Sequence, residues 1–257
     1  MHNLPIHSSK NRHRSIYLLP NAFTTSALFA GFYAVVQAID SQFEISAIAI
    51  FIAMLFDGLD GRIARLTNTQ SSFGEQYDSL SDMISFGMAP ALIIYEWTLN
   101  NLGRWGWLAT FVYVAGTALR LARFNSNECI DKRFFQGLPS PGAAALIVGF
   151  VWLGVDRNFP SEDIRISWLS FLLTIYSGIT MVINIPFFSG KDISFGNRIP
   201  FWGVLLIVIT FVFISSDPPI VLFSFFVLYS FSGWIIYIWR WEKAKKIRRK
   251  RANQIFF

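Results

Sequence analysis

Long apolar runs, separated by short connections rich in helix breakers, decide most of what this chain of 257 residues can become. Crossing the hydrocarbon core of a bilayer takes about 20 predominantly apolar residues. About eight stretches are candidate spans, at roughly 16–40, 43–66, 75–98, 105–126, 141–156, 165–188, 199–215 and 218–240, the fifth and seventh being short of that length. Connections such as "NNLGRWG", "RNFPSED", "SGKDISFGNRIP" and "SSDPP" carry the Gly, Pro, Asn and Asp that interrupt regular structure. A composition of 53% hydrophobic and 15% charged residues argues against a soluble globular fold. The expected architecture is all-α, a polytopic membrane helical bundle of about eight transmembrane helices. Neither a separate soluble domain nor an internal repeat is visible.

This layout has three parts: a basic N-terminal tail over 1–15, a membrane domain over 16–240 and a basic C-terminal tail over 241–257. The start "MHNLPIHSSKNRHRS" is polar, and the apolar run after it is too long for the core of a cleavable signal, so the first span is expected to be retained. His2, His7 and His13 all fall in this tail and read as solvated basic residues rather than metal ligands. The lone cysteine, Cys129, excludes an internal disulfide framework. Basic residues gather on the cytoplasmic side of spans. Placing both termini inside puts Lys10, Arg12, Arg14, Arg62, Arg65, Arg120, Arg123, Lys132, Arg133, Lys191, Arg198 and the C-terminal cluster there, and leaves only Arg104, Arg157 and Arg165 outside. The tail "RWEKAKKIRRKR" adjoins a span, so its charge points to anionic headgroups or to enforced topology, and not to nucleic acid.

Against this background the stretch "DGLDGRIARLTNTQSSFGEQYDSLSD", residues 57–82, is anomalous. Asp57 and Asp60 close the second span, and Asp78 and Asp82 open the third. At about 100° per residue, Asp57, Asp60, Gly61 and Ala64 share one helix face, and Asp78 and Asp82 share another. An antiparallel hairpin would let the two faces converge. A lone Asp at mid-span costs about 2.5–3.5 kcal/mol on insertion scales, and converging carboxylates also repel one another. Arg62 and Arg65 cannot neutralise four such charges. Oxygen-only carboxylate clusters favour hard divalent ions such as Mg²⁺, Mn²⁺ or Ca²⁺, and two such ions would balance four carboxylates. Small residues, Gly61 and Ala64, leave room for a ligand beside the ions, and Arg65 could grip a phosphate. Metals, an arginine and a shallow membrane pocket together imply a phosphate-bearing lipid.

The spacing D-x2-D-G-x2-A-R-x8-G-x3-D-x3-D is met in full by Asp57, Asp60, Gly61, Ala64, Arg65, Gly74, Asp78 and Asp82. It resembles the signature of the CDP-alcohol phosphotransferases, enzymes that join an alcohol to a CDP-activated partner and release CMP. "YLLPNAFTTSALFAGFYA" (17–34), "ALRLARFN" (118–125), "FFQGLPSPGAAA" (134–145) and "YSGITMVINIPF" (176–187) are similar to the bacterial membrane-integral phosphatidylserine synthase branch of that family, although "MVINI" departs from the usual "MVSNI". The resemblance implies the CDP-alcohol phosphotransferase fold, CDP-diacylglycerol and serine as substrates, Mg²⁺ or Mn²⁺ as cofactor with two ions, the bacterial inner membrane as location and a homodimer. It places the metals on Asp57, Asp60, Asp78 and Asp82 and the general base on Asp82. It places the CDP moiety against Asn21, Thr24, Gly61, Ala64, Arg65, Ser71 and Gly74. Arg120, Arg123, Asn125 and Ser140 lie where serine could be held, although positive-inside anchoring accounts for the two arginines nearly as well. Asn21 could equally serve a helix break at Pro20, and "GLPSPG" a helix-starting turn.

Other readings remain open at this point. The same chemistry with inositol, inositol phosphate, glycerol phosphate or choline as acceptor is the nearest. A divalent-cation transporter is more distant. Transport sites tend to lie near the midplane on broken helices, whereas these acids sit at one end of their spans. A purely structural scaffold would leave the convergent charge unexplained.

Overall fold

The computed structural model describes residues 10–67, 69, 71–126, 134–188 and 201–255. His2, His7, Cys129, Lys132, Arg133, Lys191 and Arg198 lie outside the described residues. The chain is dominated by helices, as an apolar environment demands. Away from water every backbone N–H and C=O needs an internal partner, and a helix supplies one within the segment.

Helix α1 (Lys10–Ile39) runs through Pro20 without a break. Proline removes one N–H from the ladder, and a row of hydroxyls back-bonds just beyond it: Thr25 Oγ1 donates to Asn21 O at 2.7 Å and Ser26 Oγ to Ala22 O at 2.8 Å. After a turn in which Ser41 takes φ 59°, α2 (Phe43–Leu66) returns along α1. Contacts between Ser46 and Ala34 and between Thr24 and Asp60 fix this pair as an antiparallel hairpin. Its seam is made of small residues: Ala27, Ala30, Ala34 and Ala38 on α1, with Ala47, Ala49 and Ala53 on α2, are all buried. Where lipid offers no hydrophobic drive between helices, such residues let backbones pack closely.

The third span reads in sequence as one uninterrupted helix. The structure instead divides the rod into α3 (Ser72–Asp82), a π-helical segment Met83–Met88 and α4 (Ala89–Trp97). A π-segment widens the turn and re-aims the helix beyond it, so the polar face of α3 and the apolar face of α4 need not share one helical phase. Ser81 Oγ donates to Thr24 O at 3.2 Å and Ser85 Oγ to Ala27 O at 3.1 Å, fastening the rod to α1. The approach is close enough that a Cβ on Gly31 would lie 2.7 Å from Ser85 Cα.

A 3-10 turn (Leu99–Leu102) leads into α5 (Arg104–Asn125). Helix α6 (Ser140–Asp156) fills the centre, with Ala143 to Val148 buried throughout. Its entry is a helix-starting turn, with Pro139 as cap and a second proline in the first turn. Helix α7 (Ile164–Val182) crosses α5 where Gly116 and Gly178 meet; a Cβ on Gly116 would lie 2.5 Å from Gly178 O. The apolar pattern predicts a span to 188, but the helix stops at Val182, and Ile183 is extended. Strand β2 (Pro186–Phe188) then pairs antiparallel with β1 (Phe134–Gln136), so the fold carries one short β pairing that an all-α expectation omits. Helices α8 (Phe201–Ser216) and α9 (Pro218–Ile255) complete the described chain. Helix α9 does not end near 240; it continues through the basic segment for 38 residues, about 57 Å at 1.5 Å per residue.

Pro20–Ile39, Ile164–Val182 and Pro218–Lys243 are long and apolar enough to cross a membrane. The remaining helices are shorter or charged; α2, for example, carries Glu44, Asp57, Asp60, Arg62 and Arg65. Phe29, Phe32, Phe211, Phe213, Leu228 and Ile235 all point outward and are more than half exposed. Outward apolar cover on this scale marks a surface that meets lipid rather than water. These are the features of an integral membrane protein.

Candidate active site

The α1–α2 hairpin and the α3 rod meet at one end of the bundle, where α2 finishes in "DGLDGRIARL" and α3 begins with "SFGEQYDSLSD". Helical spacing turns Asp57 and Asp60 toward α3 and Asp78 toward α2. One carboxylate oxygen from each of Asp57, Asp60 and Asp78 lies within 4.8 Å of the other two. Asp60 is 5% exposed, whereas Asp57 and Asp78 are half-buried. Asp82 stands outside this tight triad, one turn deeper. It shares a side-chain hydrogen bond with Asp57 and lies within electrostatic reach of Asp78 and Arg120.

Beside the triad lies a cavity of about 220 Å³. Asn21, Thr24, Gly61, Ala64, Arg65, Ser71 and Gly74, the residues expected around the CDP moiety, all line it together with Asp60 and Asp78. Four of them have a local reason for their place. Ser71 caps α3, accepting from Gly74 N at 3.0 Å. Arg65 Nε donates to Gly61 O at 2.8 Å, folding the guanidinium back along its own helix. A Cβ on Gly61 would meet nothing within 4 Å, so the bare backbone there opens the cavity instead of serving packing. At Gly74 a Cβ would lie 3.2 Å from Ser71 Oγ and 3.7 Å from Asn21 Oδ1, and would crowd the cap.

Pro20, Thr69 and Glu75 also line the cavity, and the sequence pattern alone does not assign them to it. Glu75 lies within the acidic stretch 57–82, one turn before Asp78 and Ser79, which is signal enough to find it. Thr69 is placed by the loop: its N–H reaches Ala64 O at 3.0 Å, and its hydroxyl lies 2.7 Å from that of Thr67. No helical period could have located it.

The residues considered for serine separate into two sets. Arg120 Nη1 donates to Ser140 Oγ at 2.9 Å, which joins α5 to the start of α6 on the Asp82 side of the triad. Tyr113 and Tyr229 share electrostatic contact with the same guanidinium. Arg123 turns elsewhere and donates through Nη1 to Val182 O at 2.9 Å and to Asn184 Oδ1 at 2.7 Å, closing the end of α7. Asn125 Oδ1 accepts from Ser79 Oγ at 3.1 Å, tying the end of α5 to α3.

The triad fits a divalent cation by its chemistry. Three anionic oxygens converge where hard, oxygen-seeking ions bind. Among the described residues, Asp78 Oδ1 is buried and has no hydrogen-bond partner. A buried carboxylate oxygen left unsatisfied is costly, and a cation held between the three acids would satisfy it.

The geometry accords with what known proteins share with this chain. The family model for CDP-alcohol phosphatidyltransferase matches residues 17–187. A Helicobacter pylori protein named CDP-diacylglycerol–serine O-phosphatidyltransferase is 38% identical over 201 residues, 78% of this chain and 81% of its own length. A Mycobacterium tuberculosis protein of the same name is 34% identical over 181 residues, 67% of this chain and 61% of its own. An archaetidylserine synthase from Methanothermobacter thermautotrophicus is 36% identical over 155 residues, 60% of this chain and 66% of its own. The matched region runs from α1 into β2 and holds all four aspartates, the cavity and both arginines, and on that footing the chain belongs to the CDP-alcohol phosphatidyltransferase family.

Proposed function

We propose that the protein transfers the phosphatidyl group of CDP-diacylglycerol to the hydroxyl of L-serine, giving phosphatidylserine and CMP. The observation that carries this is the carboxylate triad opening onto a cavity lined by a glycine-bared helix face and Arg65. The names of the relatives favour serine over inositol, glycerol phosphate or choline.

In this reading Asp57, Asp60 and Asp78 hold divalent ions, Mg²⁺ or Mn²⁺, with Asp82 completing a second position. Such ions, when bound, offset the charge of the diphosphate and of the departing CMP. The bare face at Gly61 admits the nucleotide, and Arg65 and the N-terminus of α3 face its phosphates. Arg120, held by Ser140, orients the serine carboxylate on the far side of Asp82. Asp82 accepts the hydroxyl proton. The serine oxygen then bonds to the phosphorus that carries diacylglycerol, and the bond from that phosphorus to the CMP oxygen breaks. Positioning supplies much of the rate, because two polar substrates are brought together at a lipid boundary. Arg123 and Asn125 support the serine side by holding α5 against α7 and α3.

The membrane catalytic domain spans 16–240 with about eight transmembrane helices, between a basic tail at 1–15 and one at 241–257. Both tails and the acid-lined end of the bundle face the cytoplasm, in keeping with the distribution of Lys and Arg. The setting is the bacterial inner membrane, and the working unit is a homodimer. The test is CMP release in membranes supplied with CDP-diacylglycerol and labelled serine, inositol, glycerol phosphate or choline, with and without EDTA. Serine-dependent CMP that EDTA abolishes is the expected result. CMP formed only with another alcohol would overturn the acceptor, and no CMP with any alcohol would favour the cation transporter.

A further inference from the structure

Thr24 lines the cavity, yet it is only 4% exposed, and its hydroxyl hydrogen and main-chain carbonyl both have protein partners. The hydroxyl oxygen lies 2.8 Å from Asp60 Oδ2 and 3.1 Å from Pro20 O. A hydroxyl has one hydrogen to donate. A carboxylate draws it more strongly than a neutral carbonyl, and the carboxylate contact is also the shorter, so the hydrogen belongs to Asp60. The backbone carbonyl of the same residue accepts from Ser81 Oγ at 3.2 Å. Thr24 therefore grips α2 by its side chain and α3 by its main chain. It does so level with Asp60 on one helix and beside Asp82 on the other.

We propose that Thr24 is a positioning residue for the divalent-cation site. Its hydroxyl occupies one lone pair of Asp60 and fixes the carboxylate plane, so that the remaining lone pairs face Asp57 and Asp78. Branching at Cβ restricts χ1, which keeps the donor in place within a helix. Its carbonyl, held by Ser81, sets the distance between the two acid pairs. The inference rests on the cation reading of the triad. Groups that orient metal ligands in this manner typically account for about 10- to 100-fold in metal affinity.

The test is Mn²⁺ titration of the purified full-length protein in lipid nanodiscs, tracked by the loss of the free-ion EPR signal. Wild type, Asp60→Asn, Thr24→Val and Thr24→Ser are compared. Valine keeps the shape and removes the hydroxyl, and is expected to weaken Mn²⁺ by about 10- to 100-fold. Serine keeps the hydroxyl and should remain within about three-fold of wild type, which a role in packing alone would not predict. Thr24→Val binding Mn²⁺ as tightly as wild type would overturn the inference and leave the cation reading standing. Should the valine variant fail to fold, Thr24→Ser decides: a ten-fold loss with the hydroxyl retained would overturn the assignment. Wild type titrating no better than Asp60→Asn would overturn the cation reading, and this inference with it.

Discussion

The acid-lined end of α2 and α3 and the arginine-bearing end of α5 lie next to each other but are finished differently. On the acid side, Asp78 Oδ1 is buried without a hydrogen-bond partner among the described residues, and Gly61 faces open space. On the arginine side the guanidinium groups already have protein partners: Ser140 for Arg120, and Val182 O with Asn184 for Arg123. One region keeps an unsatisfied oxygen and open space that a bound ligand would fill, and the other is largely completed by the fold. Like charges converge where something must be bound, and opposite partners converge where something must be held still. Arg120 stands between the two conditions, since it is braced by Ser140 yet acts on Asp82.

If the difference is functional, damage on the acid side should remove turnover and damage on the arginine side should mostly alter acceptor affinity or stability. The largest effect belongs to Asp78→Asn, which removes one corner of the triad. CMP release should fall by about 10³-fold or more, corresponding to the several kcal/mol of charge stabilisation a metal site supplies. Asp82→Asn comes next, with a loss of about 10²- to 10⁴-fold in kcat, the usual range for a missing general base. Nucleotide binding should survive in that variant, and CMP affinity measured by calorimetry checks it; a fully active Asp82→Asn would remove the base from the mechanism. Arg120→Gln should raise KM for serine by about ten-fold or more, since hydrogen bonds to charged groups are worth about 1.5–3 kcal/mol. A steady-state series in serine concentration reads this, and an unchanged KM would transfer carboxylate recognition elsewhere. Arg123→Gln is expected to change KM least and instead lower the thermal transition in detergent. The scale is about 1–3 kcal/mol for losing its bonds to Val182 O and Asn184. A large KM effect there would erase the distinction drawn between the two arginines.

The acid cluster is legible in the sequence because helical period and hairpin geometry alone bring Asp57, Asp60 and Asp78 together, and short-range spacing survives folding. The same holds for Gly61, Ala64 and Arg65, which succeed Asp60 on one helix. The π-segment at Met83–Met88 carries no local residue signal; it answers to α1, where Gly31 and Ala27 receive Ser85. The pairing of Phe134–Gln136 with Pro186–Phe188 joins residues far apart in sequence, and each strand is too short to show a period of two. Basic residues after Arg240 resemble a tail by charge, but Lys, Arg, Ala and Glu are also good helix formers, and α9 continues through them. Arg120 and Arg123 look equivalent as letters. Only the positions of Ser140 and Asn184, set by other parts of the fold, tell them apart.

In the proposed mechanism, Asp57, Asp60 and Asp78 form a cation site on which the chemistry depends. Crystals grown with Mn²⁺ and CMP test it most directly, through an anomalous difference map recorded near the manganese edge. A peak is expected between the three carboxylates, bonded to Asp78 Oδ1, which has no hydrogen-bond partner among the described residues. A map with full-occupancy CMP and no peak there, its three side chains turned apart, would contradict it.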